Sequence, residues 1–216
     1  MKKIVFVTIP MQPIEGDHWD PDGYIYPCKD NKKIEYGQKV KFAIDGFLAK
    51  TLKKNEEVKV VRILIDTNDS DRNVLLQREE LDKINETVQA KIEYKEIRTE
   101  FDDSGKTIEK RFRSIIDHLE DNCEIVLDMT FGSKTLIPVL FYVLGFAEKF
   151  FDAHILNILY DKIKFQRFPD GKSAPLPESC ELFDVTSLFY LNSLTSIMQA
   201  PDSKTALKRL DKFFAL

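Results

Sequence analysis

Apolar runs and polar breaks alternate along the chain, and their period switches between that of a strand and that of a helix. Residues 4–9 (IVFVTI) form a continuous β-branched and aromatic run, as in a strand buried on both faces, and Pro10 ends it. Over residues 39–53, Val40, Ala43, Ile44, Phe47, Leu48 and Leu52 recur at helical spacing. Residues 58–65 (VKVVRILI) predict a second strand, residues 66–72 a polar loop, and Leu75, Leu76, Leu81, Ile84 and Val88 the apolar face of a second helix. Residues 91–101 alternate as a strand, 102–105 (DDSG) turn, and Ile108, Phe112, Ile115, Ile116 and Leu119 mark another amphipathic helix. A fourth strand (124–129), a tight polar turn (130–134), a very apolar helix (135–150) and a fifth strand (153–160) follow. Residues 164–168 and 180–185 flank a Pro/Gly-rich connector, 169–177, which predicts a strand pair or β-appendage, and 187–198 and 203–214 predict two closing helices.

This alternation predicts an α/β fold of Rossmann-like type, a mainly parallel sheet with helices on both faces and a small C-terminal β/helical appendage. At 216 residues the chain is long enough for one domain that buries about 70% of its unfolded surface. Long loops in compact domains are usually functional, and residues 10–36, with four prolines, Trp19, Tyr24 and Tyr26, make one.

Charge narrows the partners. With 32 Lys+Arg against 36 Asp+Glu the net charge is −4, which argues against a protein that coats duplex DNA. Cys28, Cys123 and Cys180 are widely spaced, without a C-x-x-C pair, so buried reduced thiols in a cytoplasmic protein are expected. No apolar stretch reaches the roughly 20 residues of a membrane helix, so no membrane span is expected. His18, His118 and His154 are scattered, and neither a metal site nor a cofactor is predicted.

The turn Asp128-Met129-Thr130-Phe131-Gly132-Ser133-Lys134 is the strongest candidate site. Placed between a buried strand and an apolar helix, it presents backbone N–H groups at a helix N-terminus, where anions are favoured. Thr130 and Ser133 add hydroxyls, Gly132 allows close backbone approach, and Lys134 supplies a point charge for phosphate; the alternative is that Asp128 or Ser133 only caps the helix and Lys134 is solvated. Neither the Walker A pattern nor G-x-G-x-x-G is present. If the first and fourth strands are neighbours, Thr8, Pro10, Met11 and Gln12 face the same crevice. Asn68, after the second strand, is a candidate for a base or ribose, or else for an Asx-type turn. Trp19, Tyr24 and Tyr26 offer faces on which bases stack, or else pack on the domain.

The D-M-T-F-G-S-K sequence of residues 128–134, with the apolar helix after it and the strand ending near Tyr160, resembles the D-x-T-x-G-x-[KR] motif of CRISPR-associated Rossmann fold (CARF) proteins. Residues 183–191 (FDVTSLFYL) are similar to a segment common in that family. The resemblance implies a homodimer that binds a cyclic oligoadenylate, most often cyclic tetra-adenylate, across its two-fold axis, with residues 8–12 and 130–134 of each subunit lining the site. It assigns residues 1–200 to the CARF-like domain and 201–216 to a C-terminal helix that packs at the dimer or leads to an effector domain or protein outside this sequence. Some members cleave the ring without metal. Lys134, Ser133 and Thr8 would then stabilise the charge on phosphorus, though no general base stands out. A Rossmann-like transcription regulator or small-nucleotide enzyme is the reading from outside the family.

Overall fold

Strands and helices succeed one another as β1 (Lys3–Thr8), α1 (Ala43–Thr51), β2 (Glu57–Ile65), α2 (Asn68–Val88), β3 (Lys91–Thr99), α3 (Gly105–Ile116), β4 (Glu124–Asp128), α4 (Leu136–Phe150) and β5 (His154–Lys162). Three short strands follow, β6 (Phe165–Arg167), β7 (Ser173–Pro175) and β8 (Glu181–Asp184), and then α5 (Thr186–Ile197) and α6 (Ser203–Phe214). The structure is a computed structural model that describes residues 2–214, and the chain divides into two compact units, one through Thr186 and one from Ser187.

The first unit is a Rossmann-like α/β domain. Its six-stranded sheet has the order β3-β2-β1-β4-β5-β8, parallel throughout except for β8, which runs antiparallel to β5. α1 packs with α2, and α3 with α4. Val5, Val7, Val58, Val60 and Val126 form one core with Phe47 and Leu48 of α1 and Val74 and Leu81 of α2. Ile4 and Phe6, alternating with them, are equally buried on the other face. Every residue of β1 is buried, as its uninterrupted apolar run requires of a central strand.

Three expectations are corrected. The loop after β2 is short, because Thr67 caps α2 by accepting the Ser70 N–H, so residues 68–72 are helical. Leu75 is 60% exposed, since the buried stripe of α2 runs through Ser70, Asn73, Val74, Gln77 and Leu81, one position away from Leu75. β6 pairs with β7 from inside the connector, while β8 joins the main sheet, where it finds the open edge of β5. The three cysteines are free and buried, and burial pushes the Cys28 and Cys180 thiols up to about 11.

The second unit holds α5 and α6. Asp202 caps α6 by accepting the Thr205 N–H at 2.7 Å, and the Arg209 guanidinium bonds the Gln199 carbonyl. Among the described residues no helix is long and apolar enough to cross a membrane.

Candidate functional site

β1 and β4 are hydrogen-bonded neighbours, with Val7 opposite Asp128. From β1 the chain builds β2 and β3 on one side, then crosses to build β4 and β5 on the other, so the loops leaving β1 and β4 part at their C-terminal ends. Parallel sheets bind ligands in the crevice at such a switch point. Thr8, fully buried, ties the two loops together: its Oγ1 accepts the Phe131 N–H at 2.9 Å. α2 fastens the first loop from behind, where Asn73 Nδ2 donates to the Pro10 and Gln12 carbonyls at 2.9 and 2.8 Å and Thr67 Oγ1 donates to the Met11 carbonyl at 3.4 Å.

Between the loops lies a cavity of about 310 Å³. Pro10, Met11 and Gln12 line it from the first loop and Thr130, Phe131 and Gly132 from the second, with Trp19, Tyr26, Phe42 and Phe165 adding aromatic walls and Lys41 a cation. Gly132 has φ 107, and a Cβ there would meet Leu136 Cδ2 at 2.6 Å. We expect Gly132→Ala to cost about 1–3 kcal/mol in a urea unfolding experiment, and a neutral substitution would show that the turn is not strained.

Beyond Gly132 the side chains diverge. Ser133 is buried, and its Oγ accepts from Arg111 Nη1 at 3.2 Å and lies 3.2 Å from Thr135 Oγ1, so the hydroxyl faces inward. Lys134 is exposed, outside the lining of the cavity, and its ammonium bonds no other described residue. The backbone N–H groups of Gly132, Ser133, Lys134 and Thr135 likewise have no acceptor among the described residues, and Thr135 gives α4 no side-chain cap. Pro138 sits in the first turn of α4, where a missing N–H costs nothing.

Arg111 stands behind this turn. It is among the largest fully buried side chains and joins the end of β3 to the start of α4. Its Nε donates to Thr99 Oγ1 at 2.8 Å and its Nη2 to the Glu100 carbonyl at 2.7 Å. Its Nη1 serves Thr135 Oγ1 at 2.9 Å, Asp103 Oδ1 at 3.1 Å and Ser133. Hydrogen bonds from Thr135 and then Arg111 hold the Asp103 carboxyl below its ordinary range.

Two buried carboxyl groups meet under Thr130. Thr130 Oγ1 is 2.6 Å from Asp128 Oδ1, also contacts Asp161 Oδ1, and accepts the Asp161 N–H at 3.0 Å. One hydroxyl proton cannot serve both carboxylates, and Asp128 Oδ1 also accepts the Thr130 N–H at 3.1 Å. Burial pushes Asp161 up to about 6, and burial followed by the charge of Asp161 raises Asp128 well above its ordinary range.

Of the residues singled out in the sequence, Thr8, Pro10, Met11, Gln12, Thr130, Phe131 and Gly132 converge on the crevice. Met129 continues the sheet, donating its N–H to the Leu159 carbonyl at 3.0 Å, and Asn68 is exposed at the start of α2, away from the cavity lining. Tyr24 and Tyr26 belong to the core, and Tyr26 also reaches the cavity. Asn73, Arg111 and Asp161 were missed. Asn73 lies on a buried stripe of α2 that is mostly polar, Asp161 is the penultimate residue of a strand of mixed burial, and Arg111 looks like any exposed helix arginine, so none of the three stands out in the sequence. Among the described residues no cluster of three or more His, Cys, Asp or Glu is placed to hold a metal ion.

Fold and crevice together define a Rossmann-like α/β protein with a cavity at its topological switch point. No protein-family model matches the chain, and no curated protein matches it.

Proposed function

We propose that this protein is a CARF-type sensor that binds a cyclic oligoadenylate, above all cyclic tetra-adenylate, across a homodimer interface in type III CRISPR antiviral signalling. The observation that carries the reading is the convergence of Pro10, Met11 and Gln12 with Thr130, Phe131 and Gly132 of the D-x-T-x-G-x-K turn on one cavity at the switch point. The four N–H groups without acceptors, with Lys134 beside them, suit an anion, and the aromatic walls suit a base. Because Ser133 Oγ faces Arg111, the anion is assigned to the backbone of the turn and to Lys134, and the Ser133 hydroxyl is left a supporting role.

Titration calorimetry with cyclic tetra-adenylate, AMP and NAD tests the reading. Tight binding of the ring at one ring per two chains is expected, and preference for a mononucleotide or dinucleotide would overturn it. Chromatography of the ring after long incubation in EDTA is expected to return it intact. Linear products would instead identify a metal-independent ring nuclease. Lys134→Ala is expected to weaken ring binding about five- to tenfold with an unchanged melting temperature, since the residue is exposed and unpaired among the described residues. Equal affinity of that variant would remove Lys134 from the site.

A further inference from the structure

The long loop after β1 and the β6–β7 hairpin meet over the crevice, although well over a hundred residues separate them in the chain. His18 stacks on Phe168, with centroids 3.9 Å apart and planes 6° apart, and its Nε2 lies 2.8 Å from Asp170 Oδ2. Lys172 pairs with Asp17, and the Trp19 indole N–H donates to the Ser173 carbonyl at 3.1 Å. Inside this clasp Trp19 and Phe165 face each other with centroids 6.1 Å apart and planes tilted by 57°. Both side chains line the 310 Å³ cavity and also a second, outer cavity of about 700 Å³. Phe165 is 56% exposed, unlike the aromatic residues of the core.

We propose that Trp19 and Phe165 form a stacking subsite for one nucleobase at the mouth of the crevice, covered by the loop and hairpin acting as a two-part clasp. The inference rests on the reading that the turn at 130–134 takes a phosphate. A ligand with one anionic end and one planar, largely apolar end matches a turn whose N–H groups lack acceptors among the described residues beside a crevice walled by Trp19, Tyr26, Phe42, Phe131 and Phe165. The tilted pair must widen to admit a ring. Two of the ties that resist widening, the Asp17–Lys172 and His18–Asp170 pairs, lie at the surface, where such pairs contribute little, and the Trp19–Ser173 hydrogen bond and the His18–Phe168 stack must yield with them. Aromatic faces accept any base, so this subsite adds affinity, and the identity of the base must be read elsewhere.

Trp19 is the only tryptophan of the chain, so its emission reports directly on the subsite. AMP, adenosine and ribose 5-phosphate are titrated while fluorescence and heat are both followed. Saturable quenching by AMP but not by ribose 5-phosphate is expected. Phe165→Leu should weaken AMP binding about tenfold while leaving the ribose 5-phosphate affinity unchanged. Heat of AMP binding without any change in Trp19 emission, and with Phe165→Leu equal to the parent, would overturn the stacking subsite and leave the anion site standing. Adenosine binding as tightly as AMP, with Lys134→Ala without effect, would overturn the anion site and leave the stacking subsite standing. Absence of both signals for every probe would overturn both.

Discussion

Arg111→Met is expected to lower the melting temperature by about 10 °C. The substitution keeps much of the apolar stem but deletes a guanidinium that binds five oxygens, from Thr99, Glu100, Asp103, Ser133 and Thr135. Breaking a buried charge pair by removing one partner costs about 3–5 kcal/mol, and the lower end applies because the Asp103 side chain is 48% exposed and can regain water. In a domain of this size each kcal/mol shifts the melting temperature by about 2–4 °C. Arg111→Lys should fall between the two, because one ammonium cannot reach both the end of β3 and the start of α4. Circular dichroism during heating checks this, and a shift below 2 °C for Arg111→Met would show that the network does not hold α4 in place. The same variant should bind anions less well, since the turn from Gly132 to Thr135 loses its support from behind.

The second large effect is a pH dependence of stability that Asp161→Asn lessens, the remainder resting on other buried carboxyls such as Asp128. Asp161 titrates near 6 in the folded protein against 3.8 as its ordinary value, with burial as the main cause. Between those two values the folded state holds a proton that the unfolded state has released, so stability falls as pH rises through the window. The contribution is fully present below the ordinary value and is lost above about pH 6, a change of about 3 kcal/mol. Asparagine keeps the shape, can donate to Thr130 Oγ1 and cannot ionise. The variant should therefore match the wild type near pH 4 and exceed it at pH 7.5, with the gap opening between pH 4 and 7 in urea unfolding experiments. Parallel profiles for the two proteins would mean that Asp161 is not the buried acid described.

Much of this protein is written in local patterns. The unbroken apolar run of β1 identified a central strand, and the change of period from strand to helix and back set the order of elements through β5. The segment from Asp128 to Lys134 marked itself as a strand-to-helix turn because it combines small, hydroxylic and charged residues where both neighbours are apolar. Pattern alone also read Leu75 as core, because a run of leucines hides which position the helix turns inward.

Tertiary structure decided the rest. Pairing of β1 with β4 brings Thr8 within reach of Phe131, more than a hundred residues away, and no local period encodes which strands become neighbours. Packing of α3 against α4 sets Arg111 behind Ser133 while Lys134 stays in solvent, a division that adjacent polar residues do not announce. The join of Asp128 with Asp161, and of the long loop with the hairpin, likewise depends on contacts between distant segments. Side-chain period reports burial along one element, whereas a site is assembled between elements, and only the path of the chain through the sheet determines which of them meet.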